Sequence, residues 1–144
     1  MYQVFNTKLL NSKQRFYYGF FFGFLASIGC AVLYAVFENT LHIRFSILYA
    51  AMGYAISMVI QKYGRGVQKK YSIMGACLTA FSIILSMIFI YSPYEFNILF
   101  HPAMWSVSIQ MIMSIYFNLT TNTILMILFQ GVGIYIGYVN SRVV

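Results

Sequence analysis

Apolar side chains fill four long runs of this chain, at residues 16–37, 45–61, 71–91 and 121–139, with polar residues gathered between them. A helix crosses the roughly 30 Å hydrocarbon layer with about 20 apolar residues, and slightly shorter runs suffice. The pattern predicts an all-α membrane protein with four transmembrane helices in a single transmembrane domain covering residues 1–144. Lys13 and Arg15 lead the first run and Glu38 closes it, while Pro93 follows the third. The second and third runs are joined by the polar stretch Lys62-Tyr-Gly-Arg-Gly-Val-Gln-Lys-Lys70, whose glycines permit a tight turn between antiparallel helices.

Residues 92–120 break the pattern. They hold both prolines, Glu95, His101 and the one tryptophan, then a moderately apolar run at 103–117. Within that run Ser106, Gln110, Ser114 and Asn118 recur every four residues and therefore share one helical stripe. A helix with one wet stripe and Trp105 near its start is suited to the membrane–water interface. An outer interfacial or re-entrant helix is expected over residues 103–117.

Composition agrees with this reading. The 144 residues are 61% hydrophobic and 8% charged, against about 25% charged in soluble domains. The net charge of +7 would suggest nucleic acid in a soluble protein. Here the basic residues flank apolar runs, so orientation in the membrane accounts for them and no nucleic acid partner is expected. Lys8, Lys13, Arg15, Lys62, Arg65, Lys69, Lys70 and Arg142 fall on one side of the predicted topology, and Arg44 alone among the nine cations falls on the other with Glu38 and Glu95. The positive-inside rule then puts both termini in the cytoplasm. Lys62, Arg65, Lys69 and Lys70 would meet anionic lipid headgroups at the cytoplasmic face.

Helices in lipid associate through small residues and polar contacts rather than through hydrophobic exclusion. Gly19, Gly23, Ser27, Ala31 and Ala35 recur every four residues along the first run, and Gly133 and Gly137 do so in the last. These stripes serve either packing within a four-helix bundle or a seam for a second copy or another membrane protein. Gln130, near the middle of the last run, is the deepest strongly polar side chain, fit for an interhelical hydrogen bond or for a contact with a ligand or pore. Gln110 is a further candidate for a polar contact.

Chemistry is sparse. No Asp, Glu, Lys, Arg or His lies inside any of the four runs, whereas membrane enzymes and pumps place ionisable groups there. The chain lacks the paired carboxylates of an aspartyl protease and the His-Glu-x-x-His of a zincin. No cofactor and no metal site are expected. Cys30 and Cys77 differ by about 12 Å in predicted depth at 1.5 Å per residue, too far for a disulfide. Glu95 and His101 are the titratable pair close enough in sequence to share one surface.

Gly53-Tyr-Ala-Ile-Ser57, Lys62-Tyr-Gly-Arg-Gly66, Lys70-Tyr71, Gly75-Ala76 and the ending Gly133-Ile-Tyr-Ile-Gly-Tyr138 resemble a family of small bacterial four-span integral membrane proteins. Ser57 and Ser86 stand where that family's pattern has glycines. The resemblance implies four spans and residence in a bacterial cytoplasmic membrane, and brings no activity with it. The missing charge ranks a non-catalytic protein first, one that acts through helix contacts as an accessory, assembly or immunity-type partner of another membrane protein. A small oligomeric transporter or channel comes second. An enzyme acting on lipid headgroups at the outer surface, through His101 and Glu95, comes last.

Overall fold

A computed structural model describes residues 12–42, 45–64, 68–91 and 103–141. Among these the protein is all-helical, with α1 Ser12–Leu41, α2 Leu48–Gly64, α3 Lys69–Tyr91, α4 Ala103–Phe117 and α5 Thr121–Asn140. Three helices, α1, α3 and α5, are long and apolar enough to cross a membrane. The 17-residue α2 is shorter and would extend about 25 Å. Helix α4 covers the expected 103–117.

The first run does not stop at Glu38. Helix α1 carries on to Leu41 with Glu38 inside it, because Glu-Asn-Thr-Leu contains neither the glycine nor the proline that would break a helix. The chain turns at His42, whose amide donates to the Glu38 carbonyl at 2.9 Å and whose φ of 52° ends the helix in the left-handed region.

Packing shows how the helices run. Gly19 meets Gly64 and Gly23 meets Ile60, so α1 and α2 are antiparallel. Phe16 lies against Tyr71, Gly23 against Leu78, and Ser82 Oγ donates to the Ser27 carbonyl across 55 residues of sequence. That constant offset makes α1 and α3 parallel neighbours. Helix α5 returns antiparallel to α3, with Gly137 and Ser141 on Gly75. Lys13, Lys62, Lys69 and Lys70 therefore share one end of the bundle, called the basic end below.

The interior is the inverse of a soluble core. Ser27, Ser57, Ser72, Thr79, Ser82, Ser86 and Ser108 are completely buried, while Leu33 is 71% and Ile84 57% exposed. Small hydroxyl residues let backbones approach and carry bonds such as Ser82 to Ser27, and the bulky apolar residues face outward where lipid tails would meet them. Large side chains fill the remaining space in two layers. Ile56, Ile60, Tyr71, Met74 and Leu78 lie toward the basic end, and Tyr34, Tyr49, Met52, Ile83, Met87 and Met126 toward the other.

The stripe Gly19, Gly23, Ser27, Ala31, Ala35 is buried along its whole length. It is used within the chain, chiefly against α2 and α3. Gly133 and Gly137 are buried too, the first against the Tyr49 carbonyl and Gly53, the second against Thr79. Helix α4 buries Ser108 and half-buries Ile112, Ile115 and Tyr116, while Ser106, Gln110, Ser114 and Asn118 are all exposed on the opposite face.

Candidate functional site

The contact between α1 and α2 changes character along its length. At the basic end glycine meets glycine, at Gly19 and Gly64. At the far end tyrosine meets tyrosine, with the Tyr34 and Tyr49 rings 4.8 Å apart and tilted by 45°. Rings of that size hold helices apart where glycines let them touch. The space so opened is a cavity of about 470 Å³ at the end away from the lysines, partly open to the surroundings.

Its walls are unusually polar for this chain. Tyr34, Glu38 and His42 come from α1 and its end, Tyr49 from the start of α2, Tyr91 from the end of α3, and Asn122 and Thr123 from the first turn of α5. Residues 34 and 38 lie beside the small-residue stripe, three residues after Ala31 and Ala35, and so share the inward face of α1. Glu38 is 8% exposed. The carboxylate expected to close the first span lies inside α1 and on the wall of this cavity, enclosed by the bundle.

Tyr34, Tyr49 and Glu38 line the cavity together. Deeper in the bundle, the Tyr116 hydroxyl donates to Gln130 Oε1 at 2.7 Å, and Gln130 Nε2 donates to Met87 Sδ at 3.4 Å. Gln130 therefore joins α5 to α3 and α4, through a methionine sulfur and a tyrosine. Serines and threonines of the neighbouring helices bond mostly to their own backbones.

The other predicted residues lie elsewhere. Gln110 is exposed on the outer face of α4, and Lys62, Lys69 and Lys70 are exposed at the basic end. Glu95, His101 and Arg65 lie outside the described residues. Cys30 and Cys77 are free thiols, the first half-buried and the second exposed. Among the described residues no three His, Cys, Asp or Glu side chains gather into a metal site.

A buried carboxylate ringed by three tyrosines has a definite chemical preference. Aromatic faces attract cations within about 6 Å of the ring centroid, and a carboxylate only accepts hydrogen bonds when ionised. Together they favour a ligand that is positively charged and carries apolar or N–H surface. The cavity volume lies within the usual range for small-molecule sites, about 300–1,000 Å³. Compared with known protein families, curated proteins and solved structures, the chain matches none of them.

Proposed function

We propose that the protein binds a small organic cation in the Glu38 cavity, as the solute-binding unit of a small membrane transporter or channel. The observation that carries this reading is Glu38 itself, buried near the end of α1 and facing a tyrosine-lined cavity. Membrane proteins bear the cost of an enclosed charge chiefly where it serves a site or pathway. The enclosed carboxylate favours a transporter over a protein that acts through helix contacts alone.

Around this site we read α2 as the fourth span. It lies antiparallel along α1 from the Tyr34–Tyr49 pair to the Gly19–Gly64 contact. The basic end then faces the cytoplasm of a bacterial cell and the cavity faces outward. Helix α4 lies at the outer interface with its wet stripe toward water. Passage below the cavity would need movement where Gly53 meets Gly133 and Gly75 meets Gly137, because those backbones are in contact.

The second reading is the accessory or immunity-type partner of another membrane protein. It keeps support from the apolar outer face of α1, where Phe21, Leu25 and Leu33 are 59%, 51% and 71% exposed. The buried small-residue stripe no longer offers it a seam.

The deciding experiment is calorimetric titration of the purified protein in nanodiscs with tetramethylammonium, and with neutral tert-butanol as control. Saturable binding of the cation, lost in Glu38→Gln, supports the proposal. No binding, or binding unchanged in Glu38→Gln, removes it.

A further inference from the structure

At the basic end a second concavity runs between α1 and α3. Its inner part is an apolar groove of about 560 Å³, lined by Phe16, Phe20 and Phe24 of α1 and by Met74, Leu78 and Phe81 of α3. Phe20 stacks on Phe24 with centroids 6.3 Å apart, and Phe24 stacks on Phe81 at 5.5 Å. The second stack bridges the two helices and closes the groove. At the other end the groove meets a polar recess of about 320 Å³ that includes Lys13, Gln68 and Lys70. Phe16 and Lys70 line both, so the recess adjoins the groove.

Its dimensions fit one kind of occupant. From Lys70 to Phe81, α3 advances about 16 Å at 1.5 Å per residue, close to half of the roughly 30 Å hydrocarbon layer. The groove is therefore one leaflet deep, apolar over that depth, and cationic at its mouth. The parallel, constant-offset packing of α1 and α3 produces this shape. Phe16, Phe20 and Phe24 recur every four residues on α1, while Lys70, Ile73, Cys77 and Phe81 recur every three or four on α3, so two ridges flank a straight channel.

We infer that this groove is a built site for one anionic phospholipid, its phosphate held between Lys13 and Lys70 and one acyl chain lying along Phe16, Phe20 and Phe24 as far as the Phe24–Phe81 stack. The site is separate from the Glu38 cavity, which lies at the other end of the bundle, and the inference stands whether or not that cavity binds a cation. Lipids pass any apolar surface of a membrane protein. Charge at the mouth combined with an open groove one leaflet long, ended by the Phe24–Phe81 stack, is what selects a single anionic lipid from that crowd.

Native mass spectrometry of the delipidated protein, titrated with phosphatidylglycerol or with phosphatidylcholine of identical chains, tests this. One phosphatidylglycerol should be retained about thirtyfold more tightly than phosphatidylcholine, the ratio that two headgroup-facing lysines supply. Lys13→Gln with Lys70→Gln should abolish the preference, and Lys62→Gln on α2 should leave it intact. Cys77→Trp, which fills the groove from an exposed position, should weaken retention of both lipids. Equal retention of the two lipids overturns the assignment. So does an unchanged preference in the Lys13/Lys70 variant, or an equal loss in Lys62→Gln, since that would reduce the effect to general charge.

Discussion

Gly53 of α2 faces the backbone carbonyl of Gly133 on α5 so closely that a side-chain carbon at position 53 would collide with it, and a side-chain carbon at Gly133 would collide with the Tyr49 carbonyl. The two glycines thus hold the helices at backbone contact from both sides. Relief would require one helix to move, since the obstacles are main-chain atoms rather than flexible side chains. Gly53→Val and Gly133→Val should each lower the melting temperature in detergent sharply, at a cost of about 1–3 kcal/mol or more. Gly29→Ala and Gly131→Ala, where an added carbon meets nothing within 4 Å, should leave it unchanged or raise it. Equal losses at all four sites would mean that the effect is helix-wide rather than local contact.

Gln130 and Tyr116 provide a second measurable pair, joined at 2.7 Å in a part of the bundle where α4 has few other polar ties. Tyr116→Phe keeps the ring in the core beside Met87 and removes the donor. A double-mutant cycle of Tyr116→Phe with Gln130→Leu should give a coupling energy of about 0.6–1.7 kcal/mol, the span measured for hydrogen bonds between membrane helices. Additive single effects would show that the Tyr116–Gln130 hydrogen bond does not help to hold α4.

Ser72 is fully buried, and its hydroxyl has no hydrogen-bond partner among the described residues. The neighbouring hydroxyls do better, Thr79 donating to the Gly75 carbonyl and Ser82 to that of Ser27. A buried hydroxyl without a partner costs about 1–3 kcal/mol. Ser72→Ala should therefore match or exceed the wild-type melting temperature, while Ser82→Ala should fall below it. A large loss for Ser72→Ala would reveal a partner for its hydroxyl.

The elements were readable in the sequence and the cavity was not, for one physical reason. Period and length fix a helix locally, so residues 103–117 and the start of α5 at Thr121 emerge from the hydrophobic pattern, as does the four-residue stripe on α1. The cavity depends on where chain ends meet in space. Tyr34, Tyr49, Tyr91 and Thr123 belong to four helices, and nothing local marks them as neighbours. The helix runs past Glu38 because Phe37-Glu-Asn-Thr-Leu41 has no breaker, and the burial of its carboxylate depends on helices that meet there only in space. The signal that was available is positional: residues 34 and 38 lie beside the inward stripe, three residues after Ala31 and Ala35, and so share its face. Gln130 stood out in the sequence as the deepest polar group, yet its partners Tyr116 on α4 and Met87 on α3 did not.

Topology can be tested with two engineered thiols in a Cys30→Ala, Cys77→Ala background. Ile47, 60% exposed, precedes α2, and Gln68 follows it on the basic side. Ile47→Cys should react with a membrane-impermeant maleimide in intact cells, and Gln68→Cys only after the membrane is opened. Labelling of both from the same side would mean that α2 does not cross and that the protein has three spans.

The cation proposal makes a graded prediction at Tyr91, which lines the cavity yet is only half-buried, so its replacement endangers folding less than that of Tyr34 or Tyr49. Attraction of a cation to an aromatic face depends on the ring and not on the hydroxyl. Tyr91→Phe should keep tetramethylammonium affinity, while Tyr91→Leu should weaken it by a few-fold to about thirtyfold, the equivalent of about 0.5–2 kcal/mol. Glu38→Gln should weaken it by about 10- to 100-fold, in line with the contribution of a charged partner. A Tyr91→Leu variant that binds as tightly as Tyr91→Phe would exclude an aromatic and carboxylate cage for a cation.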